Sequence, residues 1–167
     1  MGDVLDERTA ASSEYVDAMG LAGKQLARGP KTEHQLRQRL ETAGIDPEVV
    51  EQVLIRLREL RLVDDLAFAR RWIEERSLRA GRGAEAMVAE LEGKGVDRDT
   101  AEQAMAEVGL DEAASAREWA SRLMGRVLDR PLAEQAAQLR VLLLRRGFSE
   151  EAASEGARAV LPPEGWD

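Results

Sequence analysis

Apolar residues recur along this chain at spacings of three and four, in short blocks interrupted by glycine, proline and aspartate. Leu36 and Leu40 form one block, and Val50, Val53, Leu54, Leu57 and Leu60 form the next. Leu66, Phe68, Ala69, Trp72 and Ile73 follow, then Met87 with Leu91, then Ala101, Met105 and Val108. The last blocks are Ala116, Trp119, Ala120 and Leu123, then Leu139, Leu142 and Leu143, then Ala153, Ala157 and Val160. Each block has the period of a helix with one buried face.

The punctuation between blocks is that of helix ends. A first helical stretch, roughly Glu14 to Arg28, stops at Gly29-Pro30. Thr32 with Gln35 has the spacing of a capping box, and Gly44 stands where a left-handed stop belongs. Asp46-Pro47 restarts the chain with a capping acid and a proline at the first helical position. Asp64-Asp65, Asp97, Asp111 and Ser149 are further starts. Gly81-Arg82-Gly83, Gly93 or Gly95, Gly147 and Pro162-Pro163 are stops, and Asp129 and Pro131 mark a further boundary.

Superposing the blocks exposes a repeat. Gly44, Gly95 and Gly147 lie 51 and 52 residues apart. Eight residues before them stand Leu36, Met87 and Leu139, and four before stand Leu40, Leu91 and Leu143. Ile45, Val96 and Phe148 follow them directly. The expected fold is therefore all-α: three tandem three-helix repeats in an elongated, curved array, right-handed or open. The expected boundaries are a disordered tail over 1–13, repeats over 14–63, 64–109 and 110–161, and a C-terminal tail over 162–167. A unit of about 50 residues is marginal alone, so neighbouring units are expected to bury surface together.

Composition narrows the function. Aromatic residues are 4% and β-branched runs are short, so no strand is expected. No apolar run approaches the roughly 18 residues of a membrane span, and no signal peptide is legible. With no cysteine, disulfides, thiolate metal sites and cysteine nucleophiles are excluded, which fits a cytoplasmic protein. The net charge of −8 is spread along the chain and counts against sequence-independent nucleic-acid binding.

Reaction chemistry is not legible. His34 is the single histidine and has no second ligand to share a metal. The acidic pairs Asp64-Asp65, Glu74-Glu75 and Glu150-Glu151 read as helix-start charge and solvated surface, because adjacent helical residues diverge. Gly81-Arg82-Gly83 and Gly93-Lys94-Gly95 lack the spacing of a phosphate loop. No enzyme, cofactor or small-molecule substrate is expected. The arginines are the candidate partner-binding residues: Arg37 and Arg39, then Arg70, Arg71, Arg76, Arg79 and Arg82, then Arg140, Arg145 and Arg146. They would suit carboxylate or phosphate on a partner, or form a solvated face offset by glutamates.

Two stretches resemble the RecX family of regulatory proteins. Leu26 to Leu40 carries a helix end, a capping threonine and a Leu-x-x-x-Leu spacing. Leu62 to Ile73 carries an apolar pair, Asp-Asp, and Phe and Ala before Trp. Arg61 stands where that family usually has glycine, and Gln35 where it has an acid. The resemblance implies tandem three-helix repeats and a monomer that binds the RecA recombinase filament on DNA. It implies inhibition of the ATPase, strand-exchange and co-protease activities, with weak direct DNA contact as a further option. The alternatives are a DNA-binding helical module and a generic helical-repeat scaffold.

Overall fold

The structure, a computed structural model, describes residues 3–163. Among these are nine α-helices, a short 3-10 turn and no strand. The first unit holds α1 (Asp3–Leu26), α2 (Glu33–Thr42) and α3 (Pro47–Glu59). The second holds α4 (Asp65–Ala80), α5 (Ala84–Glu92) and α6 (Arg98–Val108). The third holds α7 (Glu112–Leu123), the 3-10 turn (Met124–Arg126), α8 (Leu132–Leu144) and α9 (Glu150–Ala159). The tandem three-helix organisation anticipated from the repeat is the one the chain adopts.

One end differs from the sequence reading. Residues 1–13 were expected as a tail, yet α1 begins at Asp3. No proline or glycine interrupts Asp3 to Ser13. Met1, Gly2 and residues 164–167 lie outside the described residues.

The helix starts follow the sequence closely. Thr32 Oγ1 accepts from the Gln35 N–H at 3.2 Å, and Gln35 Oε1 accepts from the Thr32 N–H at 3.2 Å, closing the capping box. Asp64, Asp97 and Asp111 each accept the N–H three residues on, at 2.8 Å. Caps of this kind stabilise a helix by about 1 kcal/mol each. The middle helices end alike. Ile45, Val96 and Phe148 donate their N–H groups to the carbonyls of Leu40, Leu91 and Leu143 at 3.1–3.3 Å. That closure needs a left-handed residue just before the donor, and Gly44, Gly95 and Gly147 supply it at φ of 79°, 82° and 82°. The end of α3 closes in the same way with Arg61 at φ 54°, the one non-glycine among the described residues with positive φ. Arg61 thus holds a left-handed conformation that costs a side-chain-bearing residue about 1–2 kcal/mol.

Each unit closes a core of its own. Ala18, Ala22, Leu36, Leu40, Val50, Val53, Leu54 and Leu57 fill the first. Ala69, Ile73, Met87, Leu91, Val96, Ala101 and Ala104 fill the second, and Ala116, Ala120, Leu123, Leu139, Leu143, Phe148, Ala153 and Ala157 the third. In the second and third units the first helix packs chiefly on the last. Neighbouring units do bury surface together, with Gly81 buried against Trp119 and Gly83 against Gly147, but the hydrophobic clusters each stay within one unit.

The units meet at two narrow, related junctions. At the first, the Glu33 N–H at the start of α2 donates to Asp65 Oδ1 of the next unit at 2.9 Å. Thr32 Oγ1 donates to the Lys94 carbonyl at 2.7 Å. At the second, the Ala84 N–H at the start of α5 donates to Glu112 Oε1 at 2.9 Å, and the Gly83 N–H to the Arg146 carbonyl at 2.9 Å. In both, an acid at the first position of one unit's leading helix caps the middle helix of the unit before it. A methyl group on Gly95 would overlap His34, and one on Gly147 would overlap Ala86. Gly44, the equivalent glycine of the first unit, has nothing against it.

Candidate partner interface

The junctions correct one reading of the sequence. Asp64-Asp65 is not simply helix-start charge facing water. Asp64 caps its own helix, while Asp65 reaches back to the preceding unit. Burial holds the Asp65 carboxyl above its ordinary range, the Glu33 N–H opposes that rise, and the charges of Glu33, Asp64 and Asp97 add to it. His34 packs against Gly95 at the same joint, which gives it a structural place.

Beside each junction stands a tryptophan between two cations. Trp72 and Trp119 each lie eight residues after the capping aspartate of their unit. The Arg76 guanidinium lies 4.4 Å from the Trp72 ring centre, and the Lys94 ammonium 4.2 Å from it. Arg122 and Arg146 lie 4.7 and 4.6 Å from the Trp119 ring. Lys94 and Arg146 are repeat-equivalent, each directly before the docking glycine of its turn. A cation against a ring gains about 0.5–2 kcal/mol, and its side chain loses freedom to move.

The surroundings of the two rings differ. Trp72 opens on a cleft of about 270 Å3 lined by Lys31, Gln35, Phe68, Arg71, Glu75 and Lys94, among others. Its indole N–H donates to Glu90 at 3.2 Å, and Glu90 also receives Arg76 at 3.3 Å and Arg82 at 2.9 Å. This is a mixed-charge site. Near Trp119 the balance is cationic. Arg146 makes no ion pair among the described residues, and its Nη1 donates to the Ala80 carbonyl at 3.0 Å. Burial pulls its pKa down, and the charges of Arg126 and Arg82 pull it down further.

The ten candidate arginines therefore divide. Arg37 pairs with Glu51 at 2.7 Å and Glu33 at 3.4 Å, and the Glu51 contact leads in holding its pKa up. Arg70 pairs with Glu107 at 2.6 Å, Arg71 with Glu75 at 3.1 Å, and Arg140 with Glu150. Arg76 and Arg82 share Glu90. For these six the solvated, glutamate-balanced face is the better description. Arg39, Arg79 and Arg145 are exposed, and with Arg146 they form no ion pair among the described residues. Arg76 and Arg82 meet on Glu90, and Arg82 also acts on Arg146, as does Arg126, which the sequence reading did not single out. The two tryptophans were read as buried face. Both are half-buried, each edging a core while cations lie against its ring.

The fold and its joints define a tandem helical-repeat protein. The first three-helix domain of RecX matches residues 18–57, and the second matches residues 64–105. The chain is 34% identical to the regulatory protein RecX of Thermobifida fusca over 152 residues, covering 90% of this chain and 82% of that one. It is 36% identical to that of Mycobacterium ulcerans over 161 residues, covering 93% and 91%. The crystal structure of RecX from Lactobacillus salivarius superposes with a TM-score of 0.84 over 89% of this chain and 97% of that one, at 18% identity. The chain belongs to the RecX family of regulatory proteins. Among the described residues no helix is long and apolar enough to cross a membrane.

Proposed function

We propose that the chain binds the RecA recombinase filament on DNA and restrains its ATPase, strand-exchange and co-protease activities, and so modulates recombination and repair. It acts as a monomer in the cytoplasm and catalyses no reaction. Family membership over nearly the whole chain carries this reading. The repeated joints support it, because two related cation-bearing surfaces suit a partner that offers the same surface more than once. Linked weak contacts then add as avidity. The arginines that engage no glutamate, Arg39, Arg79, Arg145 and Arg146, are the first candidates for contact.

The test is a DNA-stimulated RecA ATPase assay with increasing amounts of this protein. The expected result is a falling rate with less than one copy per RecA subunit. An unchanged rate at every ratio would exclude the reading.

A further inference from the structure

We propose that the joint between the second and third units receives the carboxylates of an acidic segment on a partner protein, with Arg146, Arg126 and Arg82 as the receiving cations. This deepens the reading above and rests on it in one respect, that the chain works by binding another protein.

Geometry carries the case. Arg146 is partly withdrawn from water between the Trp119 ring and the Ala80 carbonyl, with no ion pair among the described residues. A guanidinium has five N–H donors, and the contact to Ala80 uses one. Arg126 and Arg82 stand close enough to disfavour its charge. Of the three, Arg82 alone is balanced among the described residues, by Glu90. Like charges gathered at one joint repel one another, and an arriving anion offsets that repulsion. The cluster is also held in place from both units. A methyl group on Gly81 would enter the Trp119 ring, and the Gly83 N–H fixes the carbonyl of Arg146. Little order remains to be imposed when an anion arrives.

Charge decides the kind of anion. The whole chain carries −8, and Glu90 and Glu118 border the cluster through their pairs with Arg82 and Arg122. A nucleic-acid backbone, charged at every step, meets repulsion on all sides of this small cationic spot. A few carboxylates set among neutral or basic residues fit it, and the guanidinium fork binds a carboxylate through two parallel bonds. The preceding joint provides an internal comparison. There Lys94 stands in place of Arg146, and Glu75 and Glu90 lie beside it. It is expected to take carboxylates weakly.

The experiment titrates the full 15N-labelled chain with a six-residue peptide carrying two glutamates among alanines and a lysine, and separately with a thymidylate hexamer. The readouts are the indole N–H signals of Trp119 and Trp72. The peptide is expected to shift Trp119 saturably and more than Trp72. Arg146→Gln should weaken binding about tenfold and Arg126→Gln about threefold, while Arg56→Gln, at an arginine of the first unit paired with Glu59, leaves it unchanged. Arg126 forms no ion pair among the described residues, so its variant tests the site even if Arg146→Gln perturbs the fold. The proposal is overturned if Trp119 shows no saturable shift. It is also overturned if neither variant weakens binding, or if the thymidylate hexamer binds more tightly than the peptide. RecA is absent from the titration, so loss of peptide binding can be told apart from loss of ATPase inhibition.

Discussion

At the scale of single residues, Asp65 is the most instructive. Its carboxylate holds the Glu33 N–H of the preceding unit and is kept above its usual pKa, chiefly by burial. A raised carboxyl pKa in the folded state means that the ionised form opposes folding. That penalty is fully present above the folded pKa and is relieved as pH falls through it toward the unfolded value. Asp65→Asn keeps an acceptor for Glu33 and discards the charge. It should match or exceed the parent in stability at pH 7, and the difference should shrink as pH enters the carboxylate range. Asp65→Ala leaves the N–H without its partner and should cost about 1–2 kcal/mol. Urea unfolding of both variants at pH 4 and pH 7 checks this. If the alanine variant is as stable as the asparagine variant, the capping role is wrong. The residue type and the helix start were legible in the sequence. The reach across to another unit was not, because an acid at a helix start looks the same whether it faces water or a neighbouring helix.

At the scale of elements, the three glycines in register make a controlled comparison. Gly44, Gly95 and Gly147 have nearly the same φ and the same closing hydrogen bond. They differ in what lies above them: open space, His34 and Ala86. Gly44→Ala should therefore cost only the left-handed backbone term, about 1 kcal/mol. Gly95→Ala adds an overlap with a packed side chain and should cost about 2–4 kcal/mol. Equal melting-temperature losses in the two variants would mean that the joint does not depend on that glycine. The repeat was legible because helix ends and apolar stripes are local. Caps at Thr32, Asp97 and Ser149 needed only neighbouring residues to form. The helical reach of α1 back to Asp3 was missed because a polar, acidic composition resembles a tail, although nothing in it breaks a helix.

At the scale of the whole molecule, separate cores joined at narrow contacts make the units partly independent. Weakening a joint should uncouple them. In Gly147→Ala, calorimetry is expected to show the third unit melting apart from the first two, in place of one cooperative transition. A single unbroken transition shifted to lower temperature would show coupling through contacts other than this joint. The candidate interface was the least legible level. Sequence counts arginines but does not say which have a glutamate within reach. The pairs Arg70 with Glu107 and Arg37 with Glu51 join different helices. Trp72 and Trp119 offered a signal that could have been used, namely the same eight-residue offset from Asp64 and Asp111.

The joints also run one way. Each takes its capping acid from the following unit and its exposed helix start from the one before. Across the described chain this leaves unlike ends: an undocked Gly44 turn in the first unit, and in the third a middle helix that starts at Pro131 with no side-chain cap. Such an array has a head and a tail. Laid along a row of identical subunits that themselves face one direction, it matches their order in one orientation and mismatches it when reversed.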